Sequence, residues 1–187
     1  MQKFLLAVSG PSGAGKGTIL AALKNQPEKY QFSVSYTTRA PRPGEITSHH
    51  YHFITENEFK QTIVAEEFLE YEIIHHNYYG TKRKDLEQII ESGKIAVLEI
   101  DVKGVANLRK NYTGQIVSVF IEPPSLDILT RRLRERGTED AATVQLRVSR
   151  YQEEMKFQSQ YDYVIINDTV EQAQKELLEI LKKEHGA

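Results

Sequence analysis

The sequence predicts an α/β fold in which a parallel β-sheet is covered by helices. Four apolar segments have the length and composition of buried strands: Phe4–Val8, Ile95–Ile100, Ile116–Ile121 and Tyr163–Ile166. Each is followed by a segment whose apolar residues recur every three to four positions, as on one face of a helix. A glycine-rich loop lies between the first strand and its helix. Strands that alternate with helices in this way are typical of a parallel sheet.

The glycine-rich loop has the composition of a phosphate-binding loop. It reads Gly10-Pro11-Ser12-Gly13-Ala14-Gly15-Lys16-Gly17-Thr18. Glycines in such a loop allow backbone N–H groups to surround a phosphate, while the lysine ammonium reaches the outer phosphates. The next helix directs the positive end of its dipole at the same point. Its apolar face and its end are predicted from Ile19, Leu20, Ala22, Leu23 and Pro27. A plain glycine-rich turn is the alternative interpretation of this stretch alone.

The residue after Lys16 departs from the usual pattern. A serine or threonine that holds Mg²⁺ is expected there, but this chain has Gly17, and Thr18 follows one position later. We expect the hydroxyl role to pass to Thr18. The second predicted strand ends in the carboxylates Glu99 and Asp101, which we expect to support Mg²⁺ mostly through water.

Later helices are predicted from their apolar faces. These faces are Leu86, Ile89 and Ile90 before Gly93; Leu126, Leu129 and Leu133 before Gly137; and Ala173, Leu177, Ile180 and Leu181. Thr138, followed by two acidic residues, is typical of a helix start. The stripe on that helix is interpreted as core packing, and it consists of Val144, Val148, Tyr151 and Met155.

Two segments interrupt the alternation of strands and helices. Residues 33–82 are rich in Thr, Tyr, His, Pro and Gly, with strand-like pieces around Tyr51–Phe53 and Phe68–Ile74. We interpret this segment as an inserted lobe. Residues 125–147 are expected to form a mobile basic flap that carries Arg131, Arg132, Arg134, Arg136 and Arg147.

Composition limits the classes of protein to which this chain can belong. The 187 residues suffice for one domain with small inserted lobes. With a formal net charge of −2, the chain lacks the overall positive charge that non-specific nucleic-acid binding needs. Cysteine is absent, which excludes disulfides and thiolate metal sites, and no apolar stretch approaches the ~20 residues of a membrane span. The first strand follows Lys3 and leaves no room for a signal peptide. We therefore expect a cytoplasmic protein, monomeric or homo-oligomeric, without a nucleic-acid or membrane partner.

Histidines cluster in the predicted lobe, at His49, His50, His52, His75 and His76. Adjacent residues of an extended strand point to opposite faces, and no cysteine accompanies these histidines. The sequence therefore does not favour a metal site here.

Two arginines in the lobe are suited to binding a phosphate dianion. Arg39 and Arg42 lie three residues apart beside Pro41 and Pro43. A planar guanidinium can donate paired hydrogen bonds to a phosphate, and the prolines reduce the entropy lost in holding both arginines. A solvated basic loop is the alternative.

In the order and spacing of its motifs the chain resembles the guanylate kinase family. The matching segments are Gly10–Lys16, Ser35–Arg42, Gly44-Glu45, Tyr51, Glu67-Phe68-Leu69-Glu70, Asn77-Tyr78-Tyr79-Gly80 and Arg136-Gly137-Thr138. This resemblance covers essentially the whole chain. It implies a single domain with a P-loop NTPase core, an inserted nucleoside-monophosphate lobe and a mobile lid. The core would comprise residues 1–32, 83–124 and 148–187, the lobe residues 33–82 and the lid residues 125–147.

The resemblance also implies the roles of individual residues. The clamp on the GMP phosphate would be Arg39, Arg42, Tyr51 and Tyr79, and the base pocket would be Ser35, Glu70, Thr81 and Asp101. Asn167 and Asp168 resemble the segment that contacts the adenine of ATP, and Arg136 and Arg147 match lid arginines. Lys16, Arg39, Arg136 and Arg147 would then be the catalytic residues. A carboxylate at Glu70 can accept the paired donors of guanine, whereas an exposed strand position is the alternative for this residue.

The implied activity is reversible phosphoryl transfer from ATP to GMP, giving ADP and GDP, with Mg²⁺ carried by ATP. Two kinds of alternative remain at this stage. One is a P-loop kinase for another acceptor, such as AMP or a ribose bisphosphate. The other is a non-catalytic scaffold module with the same fold, although such modules typically lack the loop lysine that is present here.

Overall fold

The computed structural model describes residues 4–74, 76–135 and 141–185. The strands in chain order are β1 (Leu5–Ser9), β2 (Tyr30–Phe32), β3 (Tyr36–Thr37), β4 (His52–Phe53), β5 (Phe68–Ile74), β6 (Asn77–Lys82), β7 (Ile95–Glu99), β8 (Ile116–Glu122) and β9 (Tyr163–Ile166). The α-helices are α1 (Lys16–Leu20), α2 (Glu56–Val64), α3 (Arg83–Glu91), α4 (Val102–Asn111), α5 (Leu126–Glu135), α6 (Ala141–Met155) and α7 (Val170–His185).

The main sheet contains five parallel strands in the order β2-β7-β1-β8-β9. Four of them confirm the predicted strands to within one residue at either end. The strand β2 was not predicted from the sequence, because this edge strand has three residues, of which only Tyr30 is buried. The first helix is shorter than predicted, since α1 ends at Leu20 and continues to Asn25 as a 3₁₀ helix before Pro27 is reached.

Helices cover both faces of this sheet. Because successive side chains of a strand point to opposite faces, all five residues of β1 are buried. Leu6 and Val8 pack in the layer formed by α1 and α7, whereas Leu5 and Ala7 pack in the layer formed by α3 and α4. The predicted apolar face of α7 is confirmed, as all four of its residues are buried. The phosphate loop is therefore anchored on a strand at the centre of the sheet.

Residues within 33–82 form a second, four-stranded sheet in the order β4-β3-β6-β5. β6 pairs antiparallel with β3 and β5, and β3 pairs parallel with β4. The helix α2 packs Phe59 against Phe68, with 4.2 Å between the ring centroids. The structure thus places a separate sheet inside the segment that interrupts the strand–helix alternation.

The helices α5 and α6 pack against each other through a small apolar cluster. Leu129, Leu133 and Val144 are buried there, and Val148 and Tyr151 are partly buried against them. The predicted core stripe is confirmed at these three positions of α6, while Met155 is half-buried. The predicted helix start at Thr138 lies outside the described residues.

The backbone conformation of the adjacent histidines His49 and His50 differs from the predicted extended strand. His49 and His50 lie in a turn and not in an extended strand, and their rings approach each other with 5.1 Å between centroids. Nδ1 of His50 accepts the backbone N–H of Ile46 at 3.1 Å. His75 lies outside the described residues. In the part of the chain that the structure describes, no helix is both long and apolar enough to cross a membrane.

Candidate active site

The glycine-rich loop follows β1 and turns sharply over the end of the sheet. Gly10, Gly13 and Gly15 have φ angles of 138°, 92° and 92°, a region that other residues rarely adopt. A Cβ atom on Gly15 would also lie 2.2 Å from Nδ2 of Asn167. These glycines therefore allow a backbone path that a side chain would block.

The ammonium group of Lys16 lies over the loop. Its Nζ donates hydrogen bonds to the carbonyl oxygens of Gly10 at 2.7 Å and Pro11 at 3.2 Å. Nη1 of Arg147, on α6, donates to the hydroxyl of Ser12. Two cations from different elements thus converge on the loop predicted to hold phosphate.

A cleft of about 290 Å³ separates the loop from the second sheet. Most of the predicted site residues line it: Gly10, Ser12, Gly13, Gly15, Lys16, Gly17, Ser35, Arg39, Arg42, Tyr51, Glu70, Tyr79, Glu99, Asp101 and Arg147. The predicted residues that do not line it are Pro11, Ala14, Thr18, Thr81, Asn167 and Asp168. Arg136 lies outside the described residues. One cleft therefore contains both the predicted donor and the predicted acceptor groups.

The predicted phosphate clamp lies on the second sheet. The Arg39 guanidinium packs over the Tyr51 ring, with 5.5 Å to its centroid, and pairs with Glu45 at 2.8 Å. The rings of Tyr51 and Tyr79 meet edge to face with 5.9 Å between centroids. Burial raises the pKa of Tyr51 to about 12, so its hydroxyl remains protonated at neutral pH. The clamp thus offers protonated donors to an anion.

Glu70 is buried, with 7% of its surface exposed. This excludes the alternative of an exposed strand position. The register of β5 against β6 shifts between Phe68 and Glu70, and such an irregularity redirects a side chain that simple alternation would place outside. Burial raises the pKa of Glu70 to about 7. The neighbouring carboxylate of Asp101 adds to it.

Asp101 stands at the start of α4 and caps it. Its Oδ1 accepts the backbone N–H of Gly104 at 2.7 Å. Burial raises the pKa of Asp101, and the Gly104 hydrogen bond opposes that shift. Two carboxylates, Glu70 and Asp101, therefore face the acceptor end of the cleft from different elements.

Oxygen donors suited to Mg²⁺ lie where β7 ends. Glu99 lines the cleft, and its Oε2 would be 3.7 Å from a Cβ atom on Gly17. Thr18 is exposed, and its carbonyl oxygen accepts a hydrogen bond from Gln174. Among the described residues no group of three or more histidine and acidic side chains could hold a metal ion by itself. Glu99 and Asp101 therefore fit support through water better than a complete ligand shell.

Asn167 lies behind the loop and not in the cleft. It is 2% exposed, and its Nδ2 donates to the carbonyl oxygen of Ala14 at 2.7 Å. Arg132 donates in turn to the backbone oxygen of Asn167 at 3.0 Å. These contacts tie the loop to α5 and to the residue after β9.

Several residues that line the cleft were not predicted as site residues from the sequence: Ser9, Glu72, Ile74, Gly80, Ile100, Arg150 and Glu154. Arg150 and Glu154 follow Arg147 at helical spacing, so the three side chains share one face of α6. Burial raises the pKa of Glu154, and the positive charge of Lys16 opposes that rise. The sequence does contain a signal for these residues, because Arg147, Arg150 and Glu154 recur three and four positions apart beside the apolar stripe of α6.

Comparison with known proteins gives one consistent family. A family model described as guanylate kinase matches residues 2–184. A guanylate kinase of Campylobacter jejuni (strain RM1221) is 44% identical over 182 residues, which are 97% of this chain and 89% of that protein. One from Clostridium perfringens (strain SM101) is 41% identical over 180 residues, 96% of this chain and 83% of that protein. A crystal structure of guanylate kinase from Anaplasma phagocytophilum aligns with 100% of this chain and 88% of its own chain, with a TM-score of 0.77 and 29% sequence identity.

Proposed function

The chain belongs to the guanylate kinase family, and we propose that it transfers the γ-phosphoryl group of ATP to GMP, giving ADP and GDP. The observation that carries this proposal is the shared cleft. The phosphate loop with Lys16 faces the arginine clamp and the buried carboxylate Glu70 across one cavity. A donor phosphate and an acceptor phosphate held at these two ends would meet in the middle.

On the donor side, loop N–H groups and Lys16 bind the ATP phosphates, and Arg147 approaches from α6. Lid closure would add Arg136. Mg²⁺ carried by ATP would neutralise part of the phosphate charge. Thr18, Glu99 and Asp101 would support the ion, mostly through water.

On the acceptor side, Arg39, Arg42, Tyr51 and Tyr79 bind the GMP phosphate. No general base is required, because the second pKa of a phosphate lies near ~6 and the attacking oxygen is already ionised at neutral pH. Alignment and charge neutralisation therefore account for the chemistry that these side chains supply. Closure of lobe and lid excludes water, which would otherwise accept the phosphoryl group.

Selection of guanine rests on Glu70 and Asp101, with Ser35 and Thr81 beside them. The Watson–Crick edge of guanine presents N1–H and an amino group, both donors, and a carboxylate is acceptor-only. Adenine presents an acceptor at N1, which would face the carboxylate unpaired. A site built from buried polar groups rejects such a partner by as much as ~10⁴-fold.

One steady-state assay tests the proposal. Purified protein, ATP and Mg²⁺ are combined with GMP, AMP or a ribose bisphosphate, and ADP formation is measured. We expect turnover with GMP and at least ~100-fold lower kcat/KM with the other acceptors. Preferential use of AMP or the sugar phosphate would identify another P-loop kinase. Absence of transfer to all three would favour a binding module.

A further inference from the structure

Gly104 lies in the first turn of α4, between the two carboxylates of the acceptor pocket. It is buried, and a Cβ atom on it would lie 2.9 Å from Oε2 of Glu70 and 3.2 Å from Oδ1 of Asp101. The first distance is shorter than contacts that Cβ atoms make in proteins. Any other residue here would therefore displace at least one of the two carboxylates.

The backbone of Gly104 does not require glycine. Its φ angle is not among the positive values found in the described residues, and it lies inside a helix. Glycine is a poorer helix former than alanine, because it loses more backbone entropy on folding. Space for the neighbouring carboxylates is thus the feature that glycine supplies at this position.

Two properties of Gly104 act on the pocket together. Its N–H donates to Oδ1 of Asp101 at 2.7 Å and orients that carboxylate. Its missing side chain allows Glu70, which comes from β5, to approach the start of α4. The carboxylates can converge on one ligand edge only while both conditions hold.

We propose that Gly104 is a specificity-determining positioning residue, whose missing side chain sets the place of the Glu70 carboxylate and so the recognition of a purine edge that presents two donors. This inference rests on the proposed function, since it concerns the acceptor pocket of that reaction. Gly104 acts through Glu70 and not on the reacting atoms.

The first test compares Gly104→Ala with Asn107→Ala, a change to the same residue one turn further along α4. Asn107 is half-buried and does not line the cleft. For Gly104→Ala we expect kcat/KM for GMP to fall by about tenfold or more, because small displacements of positioned groups carry large penalties. KM for ATP should stay within about twofold. Asn107→Ala should leave both values unchanged.

A second variant separates displacement of Glu70 from general damage to the fold. In the Gly104→Ala/Glu70→Asp double variant the shorter side chain withdraws the carboxylate from the added methyl group. Relative to Glu70→Asp alone, the added Gly104→Ala change should then cost less than about threefold, which is the non-additivity expected of residues in contact. An equal penalty in both backgrounds would overturn the proposal, as would equal losses for GMP and ATP.

Calorimetric titration of GMP into each variant, without ATP, keeps the two proposals apart. Weaker GMP binding by Gly104→Ala but not by Asn107→Ala would support the positioning role even if the wild-type chain transferred no phosphoryl group. Unchanged GMP binding by Gly104→Ala would refute the positioning role, whatever the acceptor assay shows.

Discussion

Arg39 and Glu45 form an ion pair at the edge of the cleft, with 2.8 Å between Nη2 and Oε1. Oε2 of the same carboxylate accepts the backbone N–H of Arg42 at 2.7 Å. The Arg39 hydrogen bond holds the pKa of Glu45 below its usual value, so the carboxylate is charged at neutral pH. One acidic side chain thus connects both arginines of the predicted phosphate clamp.

We predict that Glu45→Ala raises KM for GMP by about tenfold or more and leaves KM for ATP unchanged. A hydrogen bond to a charged group contributes about 1.5–3 kcal/mol, and a released Arg39 must be ordered again when phosphate binds. Glu45→Gln should lie between the wild type and Glu45→Ala, since the amide keeps one acceptor. Steady-state kinetics with each substrate varied in turn measures these effects.

Glu56→Ala serves as the control for Glu45→Ala. It removes an exposed ion pair with Lys60 on α2, in the same lobe but away from the cleft. Such surface pairs contribute little, so its kinetics should match the wild type. A GMP effect of equal size in both variants would indicate damage to the lobe as a whole.

Replacement of the loop lysine, Lys16→Met, should lower phosphoryl transfer by ~10²–10³-fold while the fold survives. Among the residues that the structure describes, Lys16 donates hydrogen bonds to two backbone carbonyls of its own loop, so its loss removes charge from the cleft without opening the core. Single-turnover transfer and thermal unfolding measure the two effects separately. An active variant would contradict the role of Lys16.

Glu70→Gln should impair the use of GMP far more than the binding of ATP. The amide presents a donor where guanine also presents donors, and a buried mismatch costs about 1–3 kcal/mol. Equal losses for both nucleotides would refute the assignment of Glu70 to the base pocket. Competition titrations with GMP and ATP provide the comparison.

The same residue predicts a pH dependence. Because burial raises the pKa of Glu70 to about 7, its carboxyl is increasingly protonated below neutral pH and loses acceptor capacity. KM for GMP should therefore rise as the pH falls from about 8 to about 6, and kinetics across this range in Glu70→Gln should be flatter. Since this pKa is higher than that of an exposed glutamate, Glu70 lowers the free energy of unfolding as the pH rises toward 7. Glu70→Gln should therefore raise the thermal unfolding temperature at pH 8 and leave it nearly unchanged at pH 4.

The loop residues after Lys16 give a further test. We expect Thr18→Ala to reduce activity more than Gly17→Ser, because Thr18 is assigned the hydroxyl role. A Cβ atom on Gly17 would be 3.7 Å from Glu99, an ordinary contact, so the serine fits. Activity titrated with Mg²⁺ measures both variants, and the reverse order would move the metal-supporting hydroxyl to position 17.

Much of the fold could be predicted because its signals are local. The strands β1, β7, β8 and β9 are predominantly apolar runs, and the loop glycines directly follow the first of them. Short strands such as β2 and β3 carry too few residues for a periodic signal. Their pairing arises from neighbours that are distant in the chain.

The residues of the candidate site fall into the same two groups: those recognised from local sequence and those placed by tertiary packing. Lys16 is recognisable from the glycine-rich loop around it, and Arg39 and Arg42 from their spacing of three residues beside two prolines. Glu70 is different: alternation with Leu69 and Tyr71 suggests an exposed position, and only the register shift in β5 places it inside. Gly104, on a helix, and Glu70, on a strand, approach each other although they lie 34 positions apart in the sequence.

Local patterns in the sequence were therefore sufficient to predict the core, the phosphate loop and most of the residues that line the cleft. Packing between elements was needed to bring Arg150 and Glu154 into the cleft that Lys16 lines, to bury Glu70, and to bring Gly104 close to Glu70. The physical reason is that strand and helix periods act over a few residues. Close approach and burial depend on which side chains the complete fold brings together.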